Sequence, residues 1–68
     1  MSENMMMRLP EVRRATGLNR TRIYTLQRSG GFPRGVKISQ RTVAWPAGEV
    51  AAWIAARIAE RDAKGGAE

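Results

Sequence analysis

The most informative absences in this 68-residue sequence are those of cysteine and histidine. Without cysteine the chain can form neither a disulfide nor a zinc site made of thiolates. Without histidine it lacks the commonest general base and the commonest metal ligand. A chain this short buries only about 60% of its unfolded surface, which leaves little core around which a catalytic cleft could form. We therefore expect a protein that is not an enzyme, with no cofactor, no metal site and no small-molecule substrate.

Long apolar runs and nucleotide-binding glycine motifs are also missing. The methionines at positions 5–7 are followed at once by a charged region, and no run approaches the length of a membrane span or a signal-peptide core. Gly30, Gly31 and Gly35 do not have the spacing of a dinucleotide-binding or P-loop motif. These features predict a cytoplasmic protein that makes no membrane contact.

Acidic residues are scarce in the middle of the chain. The formal net charge is +6, but residues 8–41 hold nine basic residues against Glu11 alone, whereas residues 1–7 and 42–68 each have a net charge of −1. Eight of those nine basic residues are arginines, whose planar guanidinium group binds phosphate and guanine through paired hydrogen bonds. Positive charge concentrated in one part of the chain indicates nucleic acid or another anionic surface as the partner.

What the sequence does contain is organised around a predicted helix over residues 19–29. Asn19 is a suitable N-cap, and two consecutive glycines follow the helix and can end it. Ile23, Leu26 and Gln27 share one face of this helix. Arginine, threonine and tyrosine side chains occupy the other faces, which suits contacts with phosphates and base edges.

A shorter helix, Leu9–Thr16, is predicted directly before it. Pro10 suits the first turn of a helix, and Glu11 favours the positive end of the helix dipole. Gly17 can adopt a positive φ between the two helices. A helix, a short glycine-containing turn and a second helix form the pattern of the helix-turn-helix motif. An ordinary helical hairpin without a ligand also fits this spacing.

Residues 36–45 alternate with the period of a half-buried pair of strands. Val36 and Ile38 are expected on one face of the first strand and Lys37 on the other, while Trp45 is expected to point inward. The sequence therefore predicts a two-stranded wing over this range.

The connection between these two strands, residues 39–41, lacks the Asn-Gly or Asp-Gly signal of a tight hairpin. If the hairpin forms, Lys37, Gln40 and Arg41 lie near its tip as a basic finger. A solvated loop with ordinary surface charge is the alternative.

The longest predicted helix begins at Pro46 and extends to about Ala63. Its apolar stripe consists of Val50, Trp53, Ile54 and Ile58, and Trp53 is expected to anchor the core. The remaining faces are rich in alanine, which fits either a dimer contact or a solvated helix back. Around these elements we expect a disordered N-terminus over 1–7, one domain over 8–63 and a flexible tail over 64–68.

The order and spacing of several short motifs resemble the AlpA-type prophage regulators, which are small winged-helix proteins akin to excisionases and to the DNA-binding domain of MerR regulators. The motifs are Leu9–Val12, Thr16–Tyr24, Gly31–Pro33, Val36–Ile38 and Val43–Trp45 leading to Glu49–Ile54. The resemblance as a whole covers residues 8–59. Asn19 replaces the usual serine or threonine cap, and residues 39–41 lack the usual glycine or proline of the wing turn.

The resemblance implies an α+β, mostly α fold: a small winged helix-turn-helix with two short helices, a two-stranded wing and a longer C-terminal helix. It also implies a nucleoid-associated protein of a phage or mobile element that binds double-stranded DNA as a transcriptional regulator or as an excisionase, that is, a recombination directionality factor. An integrase or further copies of the chain on repeated sites are the partners that would accompany it.

On this interpretation the helix 19–29 enters the major groove and the wing 36–45 lies on the adjacent minor groove or backbone. The residues expected to contact DNA are Asn19, Arg20, Thr21, Arg22, Tyr24, Thr25, Arg28, Lys37, Gln40, Arg41, Arg13 and Arg14. A protein-interaction module that docks on an acidic partner is the alternative that the charge leaves open. RNA binding ranks last, because Tyr24 and Phe32 offer few surfaces for base stacking.

Overall fold

The computed structural model describes residues 5–64, which form three helices and a three-stranded antiparallel sheet. In chain order the elements are β1 (Met6–Met7), α1 (Leu9–Thr16), α2 (Arg20–Ser29), β2 (Val36–Lys37), β3 (Val43–Pro46) and α3 (Ala47–Ala63). The predicted fold class, an α+β winged helix-turn-helix that is mostly helical, is confirmed.

Local hydrogen bonds and a glycine determine where α1 begins and ends and where α2 begins. The backbone N–H of Arg8 donates to Glu11 Oε1 at 2.8 Å, which places a carboxylate at the positive end of α1. Gly17 then ends α1 with a φ of 77°, a conformation that glycine adopts without strain. Asn19 Oδ1 accepts from the backbone N–H of Arg22 at 2.8 Å, so the predicted N-cap of α2 is confirmed.

The C-terminus of α2 closes on two glycines. Gly30 has a φ of 85°, and the N–H of Gly31 donates to the carbonyl of Leu26 at 2.8 Å. This bond pattern satisfies carbonyls that the last helical turn leaves free. The chain then turns through the loop 31–35 toward the wing.

Strand β3 is the centre of the sheet, whose order is β1-β3-β2. Met7 pairs with Trp45 on one side of β3, and Val36 pairs with Ala44 on the other. The expectation of disorder over 1–7 is therefore wrong for Met6 and Met7, because β3 offers them a free edge for pairing. A strand of two residues is too short to show alternation in the sequence.

The predictions of a disordered N-terminus and a flexible C-terminal tail mostly concern residues that the structure does not describe. Residues 1–4 and 65–68, assigned above to a disordered N-terminus and a flexible tail, lie outside it. Lys64 is described, and its N–H donates to the carbonyl of Arg61 at 3.1 Å, so this residue still continues the last turn of α3.

The core draws one buried side chain from each major segment. These side chains belong to Val12 of α1, Ile23 of α2, Phe32 of the following loop, Trp45 of β3 and Val50 of α3. The core is therefore small, and each helix contributes to it by a single fully buried residue. This arrangement fixes α2 against α1 and β3 while its opposite side faces solvent.

Trp53 closes one side of this core, where it is half-buried. Its indole Nε1 donates to the carbonyl of Gly31 at 2.6 Å, and its ring lies edge-on to that of Phe32 with centroids 5.0 Å apart. The predicted role of Trp53 as a core anchor is confirmed, and its partner is the loop that leaves α2.

Three apolar positions are more exposed than the sequence pattern predicts. Val36 is 43% exposed, Ile38 51% and Ile58 46%. Val36 and Ile38 lie on or next to β2, the edge strand of the wing, and Ile58 lies where α3 has passed the end of the core. A domain with so few buried residues does not cover both faces of its wing or the full length of a 17-residue helix. Among residues 5–64, no helix is sufficiently long and apolar to cross a membrane.

Candidate nucleic-acid interface

Helix α2 presents a polar outer face because its apolar residues point into the core. Ile23 is fully buried and Leu26 packs against the same core. The predicted contact residues on its other faces are exposed, and they are Arg20, Thr21, Arg22, Thr25 and Arg28, together with the cap Asn19. Guanidinium, amide and hydroxyl groups are therefore displayed on the solvent-exposed faces of the helix and at its N-terminus.

Tyr24 differs from the other predicted contact residues of α2 because it is half-buried. Its ring lies edge-on to Trp45 with centroids 6.2 Å apart. The guanidinium carbon of Arg20 lies 5.6 Å from the centre of the Tyr24 ring, a distance at which the cation is attracted to the ring. Tyr24 therefore supports Arg20 from the core side, and this support limits the freedom of the arginine.

The predicted residues Arg13 and Arg14 lie beside the start of α2. Both are exposed at the end of α1, and with Asn19 they line an open cleft of about 340 Å³ whose other lining residues are Pro10, Gly17 and Leu18. The structure thus brings together three of the predicted contact residues, from two helices, at the positive end of the α2 dipole.

The wing is a hairpin whose tip is a tight turn. The N–H of Ile38 donates to the carbonyl of Thr42 at 2.9 Å, and Thr42 N–H donates to the carbonyl of Ser39 at 3.4 Å. Lys37, Gln40 and Arg41 are all exposed. The hairpin is therefore present although residues 39–41 lack the usual turn signal, and its basic residues lie on and next to the tip.

Gln27 connects α2 to the base of the wing, a role that the sequence does not reveal. Its side-chain Oε1 accepts from the backbone N–H of Gly35 at 2.8 Å and from Trp45 Nε1 at 3.0 Å. The indole N–H also donates to the carbonyl of Pro33 at 3.1 Å. The available signal was a polar side chain on the apolar face of α2, since a polar group in that position needs a partner.

Arg34 is a further basic residue that the predicted contacts do not include. It is exposed, and with Gln27, Arg28 and Gly35 it lines a second open cleft, of about 270 Å³, between α2 and the loop that leads to the wing. Its position in the acid-poor part of the sequence was the signal that could have identified it.

Acidic side chains are absent from this part of the molecule. The sequence contains no aspartate or glutamate between Val12 and Gly48, but it contains eight basic residues there. Within residues 5–64, ion pairs form only on α3, between Arg57 and Glu60 at 2.7 Å and between Arg61 and Asp62 at 2.9 Å. The cations of α2 and the wing therefore have no acidic partner among the described residues, and no cluster there could hold a metal ion.

Comparisons with a family model and with a phage-encoded protein both give matches over most of the chain. The family model described as prophage CP4-57 regulatory protein (AlpA) matches residues 5–58, from β1 into α3. An uncharacterized protein, ORF88, of Enterobacteria phage P4 is 45% identical over 60 residues, which cover 88% of this chain and 68% of the relative.

Proposed function

Since this chain belongs to the family of the prophage CP4-57 regulatory protein (AlpA), we propose that it binds double-stranded DNA at specific sequences to regulate a phage or other mobile element. It acts there as a transcriptional regulator or as an excisionase. Helix α2 lies in the major groove, and the wing, residues 36–45, lies on the adjacent minor groove or the backbone.

The observation that carries this proposal is the outward display of Arg20, Thr21, Arg22 and Thr25 on a helix held by buried Ile23. Arginine forms paired hydrogen bonds with guanine, and threonine contacts bases through its hydroxyl and methyl groups. Arg20, Thr21 and Arg22 form the first turn of α2, the part of a recognition helix that contacts base edges, and Thr25 follows one turn later. Half-buried Tyr24 supports Arg20 at this surface through its ring.

Basic residues that contact phosphates lie on both sides of the base-contacting residues of α2. Arg13 and Arg14 flank the N-terminus of α2, and Arg28 follows at its C-terminal end. Lys37, Gln40 and Arg41 extend the positive surface onto the wing. Contacts of this kind position a protein on the duplex without reading its sequence.

A domain of this size covers only a short stretch of DNA. A single recognition module buries about 600–1,000 Å² of its surface, so strong specificity requires several copies on repeated sites or a second DNA-bound protein such as an integrase. The dependence of binding on protein concentration and site number separates these two arrangements.

The decisive experiment is selection of bound duplexes from a random-sequence library, followed by affinity measurements on the enriched sequence. Arg20→Ala is expected to weaken binding to that sequence by about 1–3 kcal/mol and to relax the preference at one base pair, because one arginine–guanine contact is lost. Arg61→Ala, which removes the same charge from the exposed end of α3, is the control and is expected to leave binding unchanged.

Lys37→Ala gives the complementary result. It is expected to weaken binding to the enriched duplex and to unrelated duplexes by a similar factor, because a phosphate contact carries no base information. Failure of the wild-type protein to enrich any duplex, or equal effects of Arg20→Ala and Arg61→Ala, would contradict the proposed function.

A further inference from the structure

The cleft between the C-terminal half of α2 and the base of the wing has the chemistry of a phosphate site. It measures about 270 Å³ and is lined by Gln27, Arg28, Arg34 and Gly35. Two of these residues are arginines from different segments, Arg28 on α2 and Arg34 in the loop before β2. None of the four lining residues is acidic, and no ion pair of either arginine is present within residues 5–64.

The orientation of the Gln27 amide is dictated by its partners. Gly35 N–H and Trp45 Nε1–H can only donate hydrogen bonds, so the atom that faces both of them, at 2.8 and 3.0 Å, is the carboxamide oxygen. The Nε2 group is therefore turned away from these two partners. It has no hydrogen-bond partner among the described residues, and no side-chain polar atom there is both buried and unsatisfied.

The residues that line the cleft thus supply two guanidinium groups and an amide whose orientation is fixed by its two hydrogen-bond donors. Phosphate oxygens accept hydrogen bonds and carry negative charge, so they match all three groups. A ligand with a hydrogen-bond donor or a positive charge would not match them. The cleft lies between α2 and the loop 31–35 that leads into the wing, so a bound group there can contact both of these segments.

On this basis we propose that the cleft binds one backbone phosphate of duplex DNA, with Arg28 and Arg34 as its cationic contacts and Gln27 Nε2 as a neutral donor. This inference rests on the proposed function of DNA binding and adds Arg34 and Gln27 to the DNA contacts. Because Gln27 also connects α2 to the wing, the bound phosphate sets the register between the groove occupied by α2 and the backbone beneath the wing.

Arg34→Ala is expected to lower affinity for the enriched duplex about tenfold and to reduce the salt slope of binding by about one, as for the loss of one phosphate contact. Arg34→Lys keeps the charge and is expected to retain most of the affinity and the full slope. Arg34 is exposed, so neither change threatens folding, and Arg61→Ala is again the matched control.

Gln27→Glu tests the amide donor separately. Its carboxylate can still accept from Gly35 and Trp45, but it places a negative charge where Nε2 donates. We expect a loss of at least about tenfold in DNA affinity while thermal unfolding shows that the domain remains folded. If Gln27→Glu does not fold, the Arg34 variants and the modified duplexes described next still decide the proposal.

Duplexes with a single neutral methylphosphonate locate the contact. At one backbone position the substitution is expected to weaken wild-type binding at least about tenfold and to have a smaller effect on Arg34→Ala, because the two changes remove one interaction that they share. Additive losses at every position, or wild-type affinity for Arg34→Ala and Gln27→Glu while Arg20→Ala still loses binding, would overturn this inference alone. If the wild-type protein enriches no duplex, the proposed function fails with it.

Inorganic phosphate serves as the second probe. At constant ionic strength we expect it neither to shift the side-chain amide resonances of Gln27 at millimolar concentration nor to compete with DNA. Saturable binding of inorganic phosphate to wild-type protein that Arg34→Ala abolishes would overturn the assignment to a DNA backbone phosphate and make the cleft a site for small phosphates.

Discussion

At Gly35 the chain leaves no room for a side chain. A Cβ atom added there would lie 2.5 Å from Val43 Cγ1 and 3.2 Å from the Trp45 ring. The backbone N–H of the same residue is bound to Gln27. The close approach of this backbone to β3 is therefore what allows the base of the wing to meet α2.

Gly35→Ala is expected to destabilise the domain by about 1–3 kcal/mol, because the new methyl group displaces Val43 or the Trp45 ring from a packed core. Chemical denaturation followed by tryptophan fluorescence measures this change. Gly31→Ala is the control, since the nearest atom to its added Cβ is the flexible end of Leu26, at 3.3 Å. A loss for Gly31→Ala as large as that for Gly35→Ala would contradict this explanation.

At the scale of single elements, substitutions at the N-cap of α2 are expected to affect stability and DNA binding differently. The first turn of α2 contains Arg20 and Arg22 and no acidic residue, an arrangement unfavourable to the helix dipole. The Asn19 cap offsets part of this cost by accepting from the Arg22 N–H. A helix end built in this way is less stable than it could be, but it keeps its positive potential for an anion.

Asn19→Ala is expected to lower stability by about 0.5–2 kcal/mol through loss of the cap. Asn19→Asp keeps a capping oxygen and adds a charge that suits the dipole, so thermal unfolding is expected to show unchanged or higher stability. The same carboxylate lies at the proposed interface, and DNA affinity is expected to fall. Asn19→Ser keeps a capping oxygen and is expected to preserve stability. Unchanged DNA binding by Asn19→Asp would argue against α2 as the groove-binding helix.

Helix α3 is attached to the rest of the fold mainly through its first half. Trp53→Phe is expected to cost about 1–2 kcal/mol in stability, because the Gly31 carbonyl loses the indole donor 2.6 Å away. Ile58→Ala changes a residue of the same predicted stripe that is 46% exposed, and its cost is expected to stay below about 1 kcal/mol. Equal costs measured by urea denaturation would show that the C-terminal half of α3 is also packed.

Local signals explain which elements the sequence predicts well. Helices α1 and α2 end at Gly17 and Gly30, and α2 begins at Asn19, because turns and caps depend on neighbouring residues alone. Strand β1 is not predicted because its pairing with β3 depends on residues 38 and 40 positions away. The exposure of Ile58 cannot be predicted from the sequence, because the spacing of apolar residues along a helix does not indicate where the core ends.

In the candidate site, too, features that depend on neighbouring residues can be predicted, and features that depend on distant residues cannot. The exposed side chains of α2 follow directly from helical spacing once Ile23 is placed inside. The role of Gln27 could not be predicted in this way, since its two donors come from Gly35 and Trp45, in other parts of the chain. Arg34 belongs to a loop without periodicity, so only the folded chain shows that it shares a cleft with Arg28.

Across the whole molecule, charge is divided between two regions. All charged residues between Val12 and Gly48 are basic, whereas the ion pairs of the described residues lie on α3. A uniformly basic protein would bind a polyanion with any part of its surface. This division instead predicts that removing a charge from α2 and removing one from α3 have different effects on DNA binding.

The dependence of DNA affinity on salt measures this difference. If about five phosphates are neutralised, the logarithm of the association constant falls with the logarithm of salt concentration at a slope of roughly −4 to −5, because condensed cations are released from the duplex. Arg28→Ala is expected to reduce the slope by about one, while Arg61→Ala leaves it unchanged, although both variants carry the same net charge. A slope near zero would contradict DNA binding. Equal slopes for the two variants would show that total charge, and not the surface formed by α2 and the wing, attracts the duplex. Salt-sensitive binding to an acidic protein without any shift of duplex DNA would instead favour a protein-interaction module.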